Sequence, residues 1–330
     1  MSSTVENNIG NGVLSSLRKY HELRQTAPFT DNLRRPDGSN VDILSDTTAG
    51  GEKIALCTLN PLLGYTSNGG IGVSMGTYQD HASILLAAHH LNTGDDSLVP
   101  QLAGLPDRCP VRFLVEGVDD QGSIGEGLAG IIDHARRDPV GTKPLPCAFI
   151  GAVYSSSSIP TSTVTGVLGY PQVSHSATSS RLDDKQQFPL FGRTVPSDSG
   201  NAVPLIIYFY EVLQARHLAV INVNDAYGNA FVDGMRSAAS VIAPDMIIQQ
   251  IPVINDPLSI QAAVETLARS EFRFVFTLVF GRATHDAIML KAYEHNVAGN
   301  GLHNWFYGDS FGGLSGRTMV KGSPLHLAYQ

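Results

Sequence analysis

The run Leu218-Ala-Val-Ile-Asn-Val223, closed by Asn224-Asp-Ala-Tyr-Gly228 and followed by Asn229–Val241, decides the fold class. Its first six residues carry no charge and are mostly aliphatic, the pattern of a strand buried on both faces. The Asn/Asp/Gly segment reads as a turn, and Asn229–Val241 reads as a helix. Downstream the alternation repeats: Ile247–Val253 (strand), Ile260–Arg269 (helix), Phe272–Phe280 (strand), Ala283–Tyr293 (helix) and Asn304–Tyr307 (strand). Upstream, Ile54-Ala-Leu-Cys57 reads as a strand and Tyr78–Asn92 as a helix, with Ala82, Ile84, Leu85, Ala88 and Leu91 returning on one face. Val111–Val118 (strand), Ile124–Arg137 (helix) and Ala148–Val153 (strand) continue the series. Apolar strands alternating with amphipathic helices predict an α/β fold, with parallel sheets flanked by helices.

One long irregular stretch, Thr178–Ser199, interrupts this order with Pro189, Pro196 and Asp183-Asp-Lys185. A connection of that length marks a passage between sub-domains or a functional loop. The expected organisation is a polar leader over 1–51, with a short helix near Val13–Tyr20, a first lobe over 52–198 and a second over 199–330. The chain has 330 residues, 42% of them hydrophobic and 16% charged, and a net charge of −8. Such a composition is globular, and an acidic chain without a basic block is a poor partner for nucleic acid. No apolar run approaches the ~18–20 residues needed to span a bilayer, and the N-terminus lacks a secretory pattern. The three cysteines show no C-x-x-C spacing, which argues against a zinc module, and Cys57 within the first strand reads as a buried thiol.

Five segments are candidate sites, several of them at the expected carboxyl ends of strands, where ligands sit in parallel α/β sheets. In Ile150-Gly-Ala-Val-Tyr-Ser155-Ser-Ser-Ser158-Ile-Pro160 the serines suit either an ordinary helix cap or a carboxylate at a positive helix end. Tyr170-Pro-Gln-Val-Ser-His-Ser176-Ala-Thr178-Ser179 offers small hydroxyls, or a plain turn. Arg193-Thr-Val-Pro-Ser-Asp198 and Asp225-Ala-Tyr227-Gly228 supply a carboxylate and an aromatic face of the kind an ammonium seeks, or a helix cap and a turn. Tyr307-Gly-Asp309 closes the last strand.

Taken together, these motifs resemble the ligand-binding region of class C G-protein-coupled receptors such as metabotropic glutamate receptors. More broadly they resemble the type I periplasmic-binding-protein or natriuretic-peptide-receptor-like family. The resemblance is carried by Ile150-Gly151 with Ser155–Ser158, Pro171-Gln172 with Ser176–Ser179, Leu182-x-Asp184-Lys185, Phe188-Pro-x-Phe191-x-Arg193-Thr-Val-Pro-Ser-Asp198 and Asp225-x-Tyr227-Gly228. It implies a two-lobed fold that closes on a small α-amino acid and passes that closure to a membrane domain. Ser155, Ser176 and Thr178 would hold the carboxylate, and Asp198, Tyr227 and Asp309 the ammonium. Asp80 falls where glutamate receptors carry an arginine for the ligand's distal carboxylate, which disfavours glutamate. The resemblance further implies an outward-facing region of a membrane receptor, a homo- or heterodimer through the first lobe, no cofactor and no catalysis. A complete domain of this kind returns to its first lobe after the Asp309 segment, so the first lobe is expected to lack closing elements.

Competing readings are weaker. Gly70-x-Gly72-x-x-x-Gly76 has the wrong placement and spacing for a dinucleotide loop, and reads as a plain loop. Adjacent His89 and His90 cannot both face one metal, and no G-x-S-x-G elbow occurs. A soluble amino-acid-binding transport protein is the nearest alternative. An α/β enzyme would need a cofactor loop or catalytic dyad that the sequence does not display.

Overall fold

In the computed structural model the described residues are 46–47, 53–64, 75–109, 111–136, 146–299, 301–308 and 319–329. The helix expected near Val13–Tyr20, the Gly70–Gly72 loop and Asp309 lie outside them. The chain divides into two compact units, one formed by 1–177 with 184–195 and the other by 178–183 with 196–330.

In the first unit the long strand β2 (Lys53–Leu63) is central. Asp46–Thr47, β1, pairs with it antiparallel at Lys53 and Ile54. The parallel neighbours of β2 are β3 (Val111–Val115), β4 (Val118–Asp119) and β5 (Pro146–Ile150). The sheet continues in parallel through β6 (Gln172–Ser174) and β7 (Phe191–Arg193). Helix α1 (Met75–Thr93) follows β2, α2 (Leu105–Arg108) precedes β3, α3 (Ile124–Ala135) follows β4 and α4 (Ser155–Leu168) follows β5. Leu62, Val118, Ile131, Phe149 and Ala152 form one buried cluster, and Leu85, Ala88 and Val115 another. Gly130 lets α3 approach the sheet, since a Cβ there would lie 2.1 Å from Cγ1 of Val118.

The second unit shows most clearly how a strand buried on both faces works. Strands β8 (His217–Val223), β9 (Ile247–Val253), β10 (Phe274–Leu278) and β11 (Asn304–Tyr307) are all parallel, in the order β11-β10-β8-β9. Leu218 and Val220 point into a cluster with residues of α5 (Asp198–Ile207) and α6 (Ala226–Ile242). Ala219 and Ile221 point the other way, against α7 (Pro257–Ala268) and α8 (Arg282–Glu294). A short α9 (Pro324–Ala328) adds Ala328 to that second cluster. Side chains alternate between the faces of a strand, so a continuous apolar run is required where helices cover both.

Three local expectations need correction. Val111–Val118 is not one strand: it breaks at Glu116-Gly117, where buried Asn60 donates its Nδ2 to the Glu116 carbonyl at 2.9 Å. The strand expected over Ala148–Val153 ends at Ile150, because Gly151 adopts φ 117°. Cys57 is not a free thiol. It forms a disulfide with Cys147, Cα–Cα 5.2 Å, because β5 runs beside β2; Cys109 remains free. His90 has a structural role, buried with Nδ1 3.0 Å from the Asp95 carbonyl.

Candidate functional site

In the first unit the serine-rich turn after β5 is built by hydrogen bonds from residues far away in sequence. Gly151 is required there, because a Cβ would lie 2.5 Å from the Leu62 carbonyl oxygen. Its own carbonyl accepts from Nε2 of Gln172 at 2.8 Å. Gln172 is fully buried; its amide also donates to Thr161 Oγ1 at 2.9 Å and accepts from Thr165 Oγ1 at 3.1 Å. The next carbonyl, Ala152, accepts from Ser158 Oγ at 2.9 Å and Ser174 Oγ at 2.7 Å. Gln172, Ser158 and Ser174 thus hold the turn that delivers Ser155, which is 3% exposed in the first turn of α4. The cap residue of α4 is Tyr154, so Ser155 lies inside the helix rather than at its cap.

Ser174 also shapes the following segment. Its Oγ accepts from the backbone N–H of Ala177 at 2.9 Å and of Ser176 at 3.2 Å. Ser176 itself is exposed. Asp80, in the second turn of α1, lies beside this segment through an ion pair, its Oδ2 3.4 Å from Nε2 of His175. Lys185 and Arg193 brace the surrounding loop by donating to the carbonyls of Phe191 (2.7 Å) and Ala177 (3.2 Å).

In the second unit the segment Thr178–Ser179 joins two helix starts. The Asp198 N–H donates to the Thr178 carbonyl at 2.9 Å, and Ser179 Oγ donates to the Ala226 carbonyl at 3.1 Å. Asp198, 2% exposed, lies in the first turn of α5, after the cap residue Ser197. Tyr227 opens α6, its ring stacked on Phe280 at 5.1 Å and edge-on to Phe231 at 6.3 Å. Asp225 is the α6 cap: its Oδ1 accepts from the N–H groups of Tyr227 (3.0 Å) and Gly228 (2.9 Å). Burial raises its carboxyl above the ordinary aspartate range, and those two bonds work against the rise. Gly228 is required by close approach, since a Cβ would sit 2.1 Å from the Val223 carbonyl oxygen.

Of the residues singled out from sequence, Ser155, Ser176 and Asp80 belong to the first unit, and Thr178, Asp198 and Tyr227 to the second. Within the first, Asp80 and Ser176 are linked through His175; within the second, Thr178, Asp198 and Tyr227 are linked through Thr178–Ser179. Sequence reasoning missed Gln172 and Ser174, which hold the turn, and the approach of His175 to Asp80. Gln172 carried a signal in the Pro171-Gln172 pair, but its bonds reach 11 and 21 residues back along the chain.

Residues 103–318, well over half of the chain, match the family model described as receptor family ligand binding region. The chain belongs to that family. Within it, this ligand-binding region is 28% identical over 159 residues to the extracellular calcium-sensing receptors of Homo sapiens and Sus scrofa, covering 47% of this chain and 14% of each receptor. It is 26% identical over 171 residues to the metabotropic glutamate receptor of Drosophila melanogaster, covering 49% of this chain and 16% of that receptor. The match to the relatives thus spans about a seventh of their length. Among the described residues no helix is long and apolar enough to cross a membrane.

Proposed function

We propose that this ligand-binding region senses a small α-amino acid on behalf of a membrane receptor. The ligand carboxylate would be taken by the hydroxyls of Ser155, Ser176 and Thr178, and its ammonium by Asp198, Tyr227 and Asp309. The observation that carries the reading is the gathering, within the second unit, of a hydroxyl (Thr178), a buried carboxylate (Asp198) and a tyrosine (Tyr227) around the short segment Thr178–Ser179, which bonds to the starts of both helices. A zwitterion needs acceptors for its ammonium and donors for its carboxylate, and charge-assisted hydrogen bonds are the strong ones. Asp80 argues against glutamate as the ligand, because a second carboxylate would meet a like charge. The Cys57–Cys147 disulfide supports an outward-facing setting, since such bonds persist in oxidising compartments. A ligand that favours one conformation of the region shifts the population toward it, and this is how binding would reach a membrane domain. By the same resemblance the receptor would work as a homo- or heterodimer through the first lobe.

Titration calorimetry with chemically edited ligands tests the reading. A neutral α-amino acid is expected to bind, and both its N-acetyl derivative and its carboxamide to lose binding. Thr178→Ala and Asp198→Asn are expected to weaken it at least about tenfold, the size of one charge-assisted hydrogen bond. Binding of the N-acetyl derivative as tightly as the free amino acid would contradict the assignment of Asp198.

A further inference from the structure

We infer that Asn229 is a positioning residue for Tyr227, the hub of an amide network that clamps the first turn of α6 to β8 and β9. The inference rests on the α-amino-acid reading above for what Tyr227 does; the clamp itself is independent of any ligand. Asn229 Oδ1 accepts from Nδ2 of Asn222 at 3.2 Å and from Nε2 of Gln250 at 2.9 Å. Its Nδ2 donates to Oδ1 of Asn224 at 3.2 Å, and its backbone N–H donates to the Asp225 carbonyl at 3.0 Å. One residue therefore ties together β8, β9, the turn and the cap of α6, and Tyr227 lies between the cap and this hub. Gln250 is held in its turn by Nη1 of Arg236 at 3.1 Å.

Asn222 supplies an independent observation. It is fully buried, on the face of β8 that carries Leu218 and Val220, where an aliphatic side chain would pack at lower cost. Its Oδ1 is buried with no hydrogen-bond partner among the described residues, which is unfavourable in itself. What the side chain contributes is its donor, given to the Val223 carbonyl at 2.8 Å and to Asn229. The same nitrogen lies 2.9 Å from where a Cβ on Gly228 would stand, so it packs beneath the backbone that joins Tyr227 to Asn229. Asn222, Asn224, Asn229 and Gln250 are all neutral amides. The clamp thus fixes the start of α6 without adding charge beside the place assigned to the ligand ammonium.

Hydrogen exchange of the 330-residue chain, read at the Tyr227 and Gly228 amides, tests the clamp without any ligand. Both amides are bonded to Asp225 Oδ1 and report the first turn of α6 directly. Asn229→Leu is expected to speed their exchange by about fivefold or more, the size of one net hydrogen bond, and to leave the β10 amides unchanged. Asn229→Asp keeps an oxygen for Asn222 and Gln250, and is expected to restore slow exchange. Calorimetry with the tightest binder among the twenty amino acids reads the consequence: weaker binding in Asn229→Leu, recovered in Asn229→Asp. Unchanged exchange at Tyr227 and Gly228 in Asn229→Leu, or exchange raised equally in β10, overturns the clamp. An affinity unchanged in Asn229→Leu despite faster exchange overturns the positioning role and leaves the α-amino-acid reading standing. A wild-type chain that binds none of the twenty, with exchange as expected, overturns that reading and leaves the clamp standing.

Discussion

Asp225 shows how one carboxylate can be recruited for geometry rather than for ligand. It accepts from two N–H groups at the start of α6, and its burial raises its pKa above the ordinary range. Asp225→Ala is expected to cost about 1 kcal/mol of stability by loss of the cap, whereas Asp225→Asn keeps a good capping oxygen. Because the folded pKa lies above the unfolded one, the folded state binds the proton more tightly. Asp225's favourable contribution is therefore full below its unfolded pKa, and is lost as pH rises through the folded pKa. The Asn variant should consequently gain on the wild type in denaturant midpoint between about pH 4 and pH 7, the range above the ordinary aspartate pKa. A constant difference across that range would assign the raised pKa no energetic weight. Asp225-x-Tyr-Gly is visible in the sequence, but its choice between cap and ammonium acceptor is made by the position of the following amides, which only the fold supplies.

At the level of elements, the turn between β5 and α4 depends on Gln172 more than on the serines that announce it. Its amide ties the Gly151 carbonyl to Thr161 and Thr165 inside α4. Gln172→Leu, similar in volume, leaves buried polar groups without their partner and is expected to destabilise by roughly 1–3 kcal/mol for each group left unsatisfied. Urea unfolding would read it, and a loss under about 0.5 kcal/mol, the level of a neutral surface change, would show that the network is dispensable. The strands and helices themselves were largely legible: β9 and β11 fall on the expected residues, and the helices differ at their ends, where caps decide. What periodicity could not show was a boundary set by a tertiary bond. Val111–Val118 reads as one strand, yet Asn60 from β2 takes the Glu116 carbonyl and the strand divides there. The Gln172 network was hidden for the same reason, since its partners lie on other elements.

For the whole molecule, the disulfide between Cys57 and Cys147 closes a loop with a sequence separation of 90 between two neighbouring strands of the first unit. Replacing both cysteines by serine is expected to cost ~2–5 kcal/mol through the freedom returned to the unfolded chain. An unchanged melting temperature under non-reducing conditions would argue against the cross-link. No spacing rule pairs these cysteines; only the adjacency of β2 and β5 does. The membership of the chain in a receptor ligand-binding family was legible in motifs, because Ser155–Ser158, Pro171-Gln172 and Asp225-x-Tyr227-Gly228 are the residues that shape local turns. What stands beside those turns was not legible, as His175 beside Asp80 shows, because only the fold brings α1 to the segment after β6.

The central claim is that a free α-amino acid is the ligand, and a thermal-shift screen of the twenty amino acids tests it most directly. A bound ligand at a concentration of about a hundred times its Kd adds about 2.7 kcal/mol, which shifts the melting transition upward by several degrees in a chain of this size. The account predicts such a shift for a subset of amino acids, glutamate not among them. A cooperative melting curve that none of the twenty moves would contradict it.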